Sequence, residues 1–338
     1  MELSTVWFIL IAVLWIGYFC LEGFDFGVGM LLPWLARDDR ERRIMINTIG
    51  PVWDGNEVWV LTAGGATFAA FPEWYATLFS GFYLPLLIIL VALIVRGLAF
   101  EYRHQRPEAA WHSWWDRAII VGSYVPAVLW GVAFANIVRG VPIDASKEFT
   151  GTLGTLLNPF GLLGGLVTLL LFLTHGAMFL ALKTDGEIRY RARALAVKLG
   201  LCAAVAAVVF LAWAQSLTGN AGSAIVFVLA ALALVGGVLL ARTGREGWAF
   251  TGTFACIALA VAGLFIALFP DVMPSSTDAA YSLTTSNASA TDYTLKVMTI
   301  VAAIFTPIVL GYQAWTYWIF RRRISAHHIP DESLEAVA

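Results

Sequence analysis

The stretch LSTVWFILIAVLWIGYFCL, from Leu3 to Leu21, carries no charged residue and decides the class of fold. A helix needs about 20 apolar residues to cross the hydrocarbon core of a bilayer, and this stretch provides that length. It lacks a positively charged segment before it and a small-residue cleavage site after it, both of which a cleaved signal peptide would have. We therefore predict a first transmembrane helix here.

Further uncharged stretches of spanning length follow along the chain. They are Trp74–Val95, Ala118–Val138, Phe149–Leu182, Gly247–Pro270 and Val297–Phe320. The stretch from Leu199 to Ala241 is long enough for two helices, with a polar turn around Asn220. Val58 to Pro72 is too short alone, so its helix is expected to begin near Gly50. The prediction is about nine transmembrane helices in a single all-α membrane domain, residues 1–338.

The composition agrees with this class. The chain is 59% hydrophobic and 13% charged, whereas soluble domains contain about 25% charged residues. A single soluble core does not become this apolar at this length, so much of the surface must face lipid. The net charge of −2 and the absence of a long basic run give no indication of nucleic-acid binding.

The basic residues predict the orientation. Eighteen of the 21 lysines and arginines lie in alternate connections, namely Arg37–Arg43, Arg96–Arg117, Lys183–Lys198, Arg242–Arg245 and Arg321–Arg323. The opposite side retains only Arg139, Lys147 and Lys296. Because positive residues mark the cytoplasmic side, we predict an outer N-terminus and a cytoplasmic C-terminus.

Carboxylates near the predicted cytoplasmic ends are the main candidates for chemistry. They are Glu22, Asp25, Asp54, Glu57, Glu101 and Asp116. The first two are one helical turn apart, as are the next two, so each pair shares a helix face. Clustered acids share protons and can lower the cost of bringing protons in. Alternatively they are solvated or paired with arginines. The setting among Gly, Phe and Trp favours a function for Asp25 and Asp54.

Other candidate residues give weaker signals. Of five histidines, only His175 lies within a predicted span, and a single such histidine is more often a hydrogen-bonded interior residue than a haem ligand. We therefore predict no metal site and no catalytic residue in this chain. Trp53 and Trp59 flank the second acid pair. They either anchor the interface, line a path or contact a partner's cofactor. Glycines four residues apart, as in Gly23 and Gly27, permit close helix packing.

Several motifs resemble subunit II of the cytochrome bd-type quinol oxidases. EGFDFGVGM (Glu22–Met30) is similar to the end of that family's first helix, and PVWDGNEVW (Pro51–Trp59) to its most distinctive stretch. Further ordered matches are Arg42–Asn47, Phe100–Arg103, Asn158–Leu163, Lys183–Glu187, Phe269–Pro270, Met273–Thr277 and Leu295–Met298. The resemblance covers essentially the whole chain.

The resemblance implies two four-helix bundles plus one peripheral helix, and a partner, subunit I. That partner would hold haem b and haem d, and the complex would oxidise quinol and reduce oxygen to water in the cytoplasmic membrane of a bacterium. This chain would supply structural support and a cytoplasmic proton entry path. The family also has a quinone in a groove of this subunit, and a small third subunit is a further candidate partner, beside membrane lipid.

The resemblance also assigns roles to residues. Asp54 inherits the proton-path aspartate of the Trp-Asp-Gly-Asn motif, with Asp25 and Asp116 as supporting positions and Glu57 and Glu101 as further candidates. Glu57 stands where some members have Gln. The expected neighbours of a haem or substrate channel are Trp53, Asn56 and Trp59.

Two alternatives remain open at this level. A proton-coupled secondary transporter would also carry acids within its spans, although usually near the bilayer midplane. A purely structural subunit would leave the proton path entirely to the partner.

Overall fold

The computed structural model describes residues 2–325, and almost all of that range is helical. The helices are α1 (Leu3–Leu35), α2 (Asp39–Ile49), α3 (Trp53–Ala70), α4 (Pro72–Gly81), α5 (Tyr83–Tyr102), α6 (Ala109–Arg139), α7 (Leu153–Leu156), α8 (Pro159–Lys183), α9 (Glu187–Thr218), α10 (Ala221–Arg242), α11 (Glu246–Leu268) and α12 (Asp292–Ile319). Two short strands, β1 (Asp271–Met273) and β2 (Leu283–Thr284), pair antiparallel between α11 and α12. The prediction of an all-α membrane protein is confirmed.

Eight of the helices described are long and apolar enough to cross a membrane: α1, α5, α6, α8, α9, α10, α11 and α12. The remaining predicted span is α3, which has 18 residues. Its last residue, Ala70, accepts a hydrogen bond from Ala290 in the loop before α12 (2.8 Å), while its first turns contact α1 and the C-terminal end of α5. These contacts are consistent with α3 crossing the membrane. The total of nine transmembrane helices stays a prediction.

The helices pack in two groups of four. The first group contains α1, α3, α5 and α6, and the second contains α8, α9, α10 and α11. Helices α1 and α6 both pack along α8, and α1 also packs along α11, so these contacts join the two groups. Helix α12 contacts mainly α1 and α3, and only 6% of its most apolar window is buried. This arrangement agrees with the expected two bundles and a peripheral helix.

Several boundaries differ from the prediction. Helix α1 continues to Leu35, so Glu22 and Asp25 lie well inside it rather than near its end. The predicted span from Trp74 splits at Phe82 into α4 and α5, because Pro85 has no N–H to donate to the preceding turn.

The predicted span beginning at Phe149 starts as a helix only at Pro159. Asn158 caps this helix by accepting a hydrogen bond from the Gly161 N–H (3.0 Å). Proline is favoured at the first helical position and asparagine before it, so the Asn-Pro pair sets the boundary.

Glycines allow α1 and α8 to approach closely. A Cβ atom added to Gly27 would lie 2.1 Å from the Phe172 carbonyl oxygen and 2.7 Å from the Gly176 Cα. A Cβ on Gly176 would meet the Gly27 backbone at 2.5 Å. Because backbone atoms cannot move aside as side chains do, both positions require glycine. Of the two glycines predicted to permit close helix packing, Gly23 and Gly27, the close approach to a neighbouring backbone is confirmed for Gly27.

The segment after α12 is attached to the connection between α8 and α9. The Lys183 amine donates hydrogen bonds to the carbonyls of Phe320 and Arg322. The Arg323 guanidinium donates to the Thr184 carbonyl (2.8 Å), and Ile324 pairs with Thr184 in a parallel bridge. The inner end of the otherwise peripheral α12 is thus fixed to the second bundle.

Candidate functional site

A buried ion pair lies where α1 and α5 meet. Glu22 and Arg96 are both 0% exposed, and the Arg96 guanidinium donates a hydrogen bond to the Glu22 carboxylate. The Glu57 carboxylate on α3 lies 3.5 Å from the same guanidinium. The guanidinium also lies over the rings of Phe26 and Phe100, 4.8 and 5.2 Å from their centroids. A buried charge is tolerated only when it is paired, and these contacts provide the pairing.

Asp25 lies one turn further along α1 and is also 0% exposed. Its carboxylate accepts a hydrogen bond from the Asn56 amide (2.6 Å). The Asn56 amide oxygen in turn accepts hydrogen bonds from the Tyr317 hydroxyl (2.7 Å) and the Gln313 amide (3.4 Å) on α12. The Trp59 indole donates to Gln313 (3.0 Å). The polar face of α12 is therefore attached to Asp25 through Asn56.

We call Glu22, Asp25, Glu57 and Arg96 the buried charge cluster. It brings three carboxylates around one guanidinium. Within the described residues, one oxygen each of Glu22, Asp25 and Glu57, and two nitrogens of Arg96, have no hydrogen-bond partner. Buried polar atoms normally find a partner, often water. The cluster can therefore accept protons or water at several atoms.

Asp54 lies at the start of α3 and is exposed. It is one turn from Glu57, so the two carboxylates share a helix face. Trp53 packs on the Phe100 ring (centroids 5.0 Å apart) and against Gly97 of α5. The predicted Asp54 and Glu57 pair therefore leads from the surface to the buried charge cluster.

Asp116 belongs to a separate group of ion pairs. Its carboxylate accepts a hydrogen bond from Arg103 Nε (2.6 Å) and lies 3.7 Å from Arg42. Arg103 also donates to Asp39 at the start of α2. Burial alone would lower the pKa of Arg103, but the hydrogen bonds and charges of Asp116 and Asp39 outweigh it and raise that pKa. Glu101 is exposed and joins neither group.

The location of Arg96 differs from the sequence prediction. It was expected to begin a cytoplasmic connection, but it lies inside α5 as the largest of the fully buried side chains. A signal for this was present. Arg96, Phe100 and Arg103 follow a helical spacing with only apolar residues between the first two. The partners Gln313 and Tyr317, far along the chain, carried no such signal.

The side chain of His175 is held by contacts within this chain. No group of three or more His, Cys, Asp or Glu residues in the described part of the chain could hold a metal ion. The His175 ring nitrogens contact the Thr253 hydroxyl (2.7 Å) and the Cys20 carbonyl (3.0 Å), and the ring stacks on Phe250. Both nitrogens are thus engaged, and His175 is an interior residue, as predicted. His327 and His328 lie outside the described residues.

The fold and site define a polytopic α-helical membrane protein whose spans enclose charged side chains. This chain belongs to the cytochrome bd terminal oxidase subunit II family, whose model matches residues 3–320.

Individual relatives agree over nearly the full length. The chain is 46% identical over 329 residues to the cytochrome bd ubiquinol oxidase subunit 2 of Bacillus subtilis (strain 168), covering 96% of this chain and 97% of that protein. It is 41% identical over 368 residues to the cytochrome bd-I ubiquinol oxidase subunit 2 of Escherichia coli (strain K12), covering 97% and 96%. The bd oxidase structure from Geobacillus thermodenitrificans matches with a TM-score of 0.76 at 19% identity, over 94% of this chain and 99% of that chain. This last likeness shows the fold alone.

Proposed function

We propose that this chain is the second subunit of a quinol oxidase complex and that it carries a proton entry path. The names of the full-length relatives support the first part. In the complex, a partner subunit I oxidises quinol and reduces oxygen to water. The family relationship favours this reading over a proton-coupled transporter.

Haem cofactors belong to the complex, and we propose that subunit I holds haem b and haem d. Both ring nitrogens of His175 have hydrogen-bond partners within this chain. This supports the assignment, because an axial haem ligand needs a nitrogen, sulfur or oxygen atom that is free to bind the iron. No step in this chain's own residues requires a metal. Their contribution is to support the partner and to move protons.

The buried charge cluster carries the proton-path proposal. Protons enter at exposed Asp54, pass to Glu57 one turn along α3, and reach Glu22 beside the Arg96 guanidinium. Asp25, one turn from Glu22 towards the cytoplasmic end of α1, is a further acceptor in the cluster. Three carboxylates facing one guanidinium cannot all be ionised without unbalanced charge, and neighbouring carboxylates then share protons. The cluster is thereby suited to hold and pass on a proton.

The other predicted residues take supporting roles in this proposal. Exposed Glu101, at the end of α5, collects protons at the surface. Asp116 is a positioning residue, because its pairing with Arg103 fixes the inner end of α5, which carries Arg96. Trp53, Asn56 and Trp59 lie on α3 and are proposed to face or adjoin a haem or substrate channel formed with subunit I.

The remaining partners follow from the family relationship. The membrane is proposed to be the cytoplasmic membrane of a bacterium, with the basic helix ends inside. Membrane lipid, a bound quinone and a small third subunit are further proposed components of the assembly.

The test is Asp54→Asn in the purified complex. We expect oxygen consumption with quinol to fall by about 10²-fold, the low end of the range for loss of a proton-transfer group, while haem content and subunit stoichiometry stay at the wild-type level. The matched control is Glu187→Gln, which removes an exposed carboxylate from the first turn of α9. Full activity in Asp54→Asn would exclude this residue as a required proton carrier.

A further inference from the structure

A cavity lies at the basic end of the molecule, between α12 and the other helices. Its volume is about 340 Å³, within the range of about 300–1,000 Å³ typical of small-molecule sites. Its walls come from α1, α2, the residue before α3, α8, α11 and α12, and nothing in the proton-path proposal uses its interior. It lies where α12 has few contacts with the rest of the chain.

The interior of this cavity is aromatic and apolar. Phe24 and Phe179 stack with ring centroids 4.1 Å apart, and Phe250 packs against both at 5.8 and 5.7 Å. Leu21 and Leu182 complete the apolar wall. Interlocked rings form a rigid lining, and a hydrocarbon chain suits such a lining because burying apolar surface is favourable.

The rim of the cavity is positively charged. Lys183 and Arg321 line it, and no carboxylate does. The Arg321 guanidinium is exposed and lies 4.4 Å from the centre of the Trp318 ring. The Lys183 amine donates hydrogen bonds to the carbonyls of Phe320 and Arg322, and Arg321 donates to the Trp318 carbonyl (2.6 Å). These carbonyls are neutral, so no acid in the lining balances the two positive charges at the rim.

We propose that this cavity binds an anionic phospholipid, with one acyl chain among the aromatic residues and the phosphate beside Lys183 and Arg321. Basic pockets between transmembrane helices at the cytoplasmic side bind anionic lipid headgroups, and this cavity lies at the predicted cytoplasmic end. A neutral isoprenoid quinone would fit the apolar interior but would bring no negative charge to Lys183 and Arg321. The lipid would fill the gap between α12 and the second bundle.

The experiment titrates the delipidated complex with dioleoyl phosphatidylglycerol or dioleoyl phosphatidylcholine and counts bound lipid by native mass spectrometry. We expect the anionic lipid to bind more tightly. Arg321→Gln should weaken that binding about fivefold, since one basic residue near a lipid surface contributes about that factor. Leu182→Trp should abolish binding at this site by filling the cavity. The control Arg242→Gln removes an exposed arginine at the same end, outside the cavity, and should bind as wild type does.

Equal affinity of the wild type for both lipids would overturn the proposal, as would unchanged phosphatidylglycerol binding in Arg321→Gln. Retention of a quinone mass that disappears only in Leu182→Trp would assign the cavity to a neutral ligand and would also overturn it. If Leu182→Trp does not assemble, the comparison of phosphatidylglycerol binding by Arg321→Gln and Arg242→Gln still tests the proposal.

Discussion

The carboxylate of Glu22 on α1 and the guanidinium of Arg96 on α5 form an ion pair in which neither side chain is exposed. The two residues are 74 positions apart in sequence, so the pair fixes the relative depth of two spans. Among the residues that the structure describes, Arg96 is also the only cation close to Glu57 and Asp25.

Arg96→Met should destabilise the complex, because it leaves Glu22 buried without its counter-ion. Removing one partner of a buried pair costs about 3–5 kcal/mol. Adding Glu22→Gln to Arg96→Met should recover part of that loss, which thermal unfolding of the purified complex would reveal. Arg117→Met, at an exposed position of α6, is the control and should unfold like the wild type. Equal stability of Arg96→Met and Arg117→Met would show that the buried pair does not stabilise the fold.

Tyr317→Phe should loosen the attachment of α12. The substitution removes the hydrogen bond from the Tyr317 hydroxyl to Asn56 (2.7 Å), which is worth about 1 kcal/mol. Limited proteolysis in the segment that follows α12, next to Tyr317, should become faster by a few fold. Tyr312→Phe, whose side chain is 66% exposed, should leave the rate unchanged. The same rate in both variants would mean that the Tyr317 contact does not hold α12.

Gly27→Ala should prevent normal assembly. Its Cβ would meet the Phe172 carbonyl oxygen at 2.1 Å, which forces α1 and α8 apart at a cost of about 1–3 kcal/mol or more. The yield of the intact complex from membranes is the measurement. Gly236→Ala adds the same methyl group on α10, where nothing lies within 4 Å, and should give the wild-type yield. A normal yield of Gly27→Ala would contradict the described crossing of α1 and α8.

A reduced-minus-oxidised optical spectrum should show haem bands in the complex and none in this chain alone. His175→Gln should leave the haem content of the complex unchanged, because the ring contacts only Thr253, Cys20 and neighbouring aromatic residues through its nitrogens and faces. Loss of one haem in His175→Gln, with normal assembly, would make this residue a ligand after all.

The sequence predicted the class of fold and the approximate positions of the spans, because hydrophobic length is a local property. The helical spacing of Arg96, Phe100 and Arg103 indicates that the helix continues past Arg96, but it does not show whether the arginine is buried or belongs to a basic connection. Only the folded structure, in which the Arg96 side chain reaches α1, shows that Glu22 supplies its counter-ion. Likewise, Asp25 was an evident candidate, but its link to Tyr317 depends on where the last helix docks.

The residues predicted to form the proton path fall into two separate groups in the structure, for the same reason. Asp25, Asp54 and Glu57 were selected by helical spacing, and the fold places them in one continuous region. Asp116 was selected with them, yet Arg103 holds it in a separate group of ion pairs at the inner surface. Which acids come together depends on contacts between helices, and sequence spacing within one helix does not determine those contacts.

The central claim is that protons for oxygen reduction pass through the buried charge cluster. The most direct test mixes the fully reduced complex with oxygen and follows proton uptake from the medium with a pH-sensitive dye, in the wild type, Asp54→Asn and Asp25→Asn. We expect proton uptake to slow by about 10²-fold in both variants, with wild-type haem content and unchanged oxygen binding. Proton uptake at the wild-type rate in both variants would contradict it and would place the proton path in subunit I.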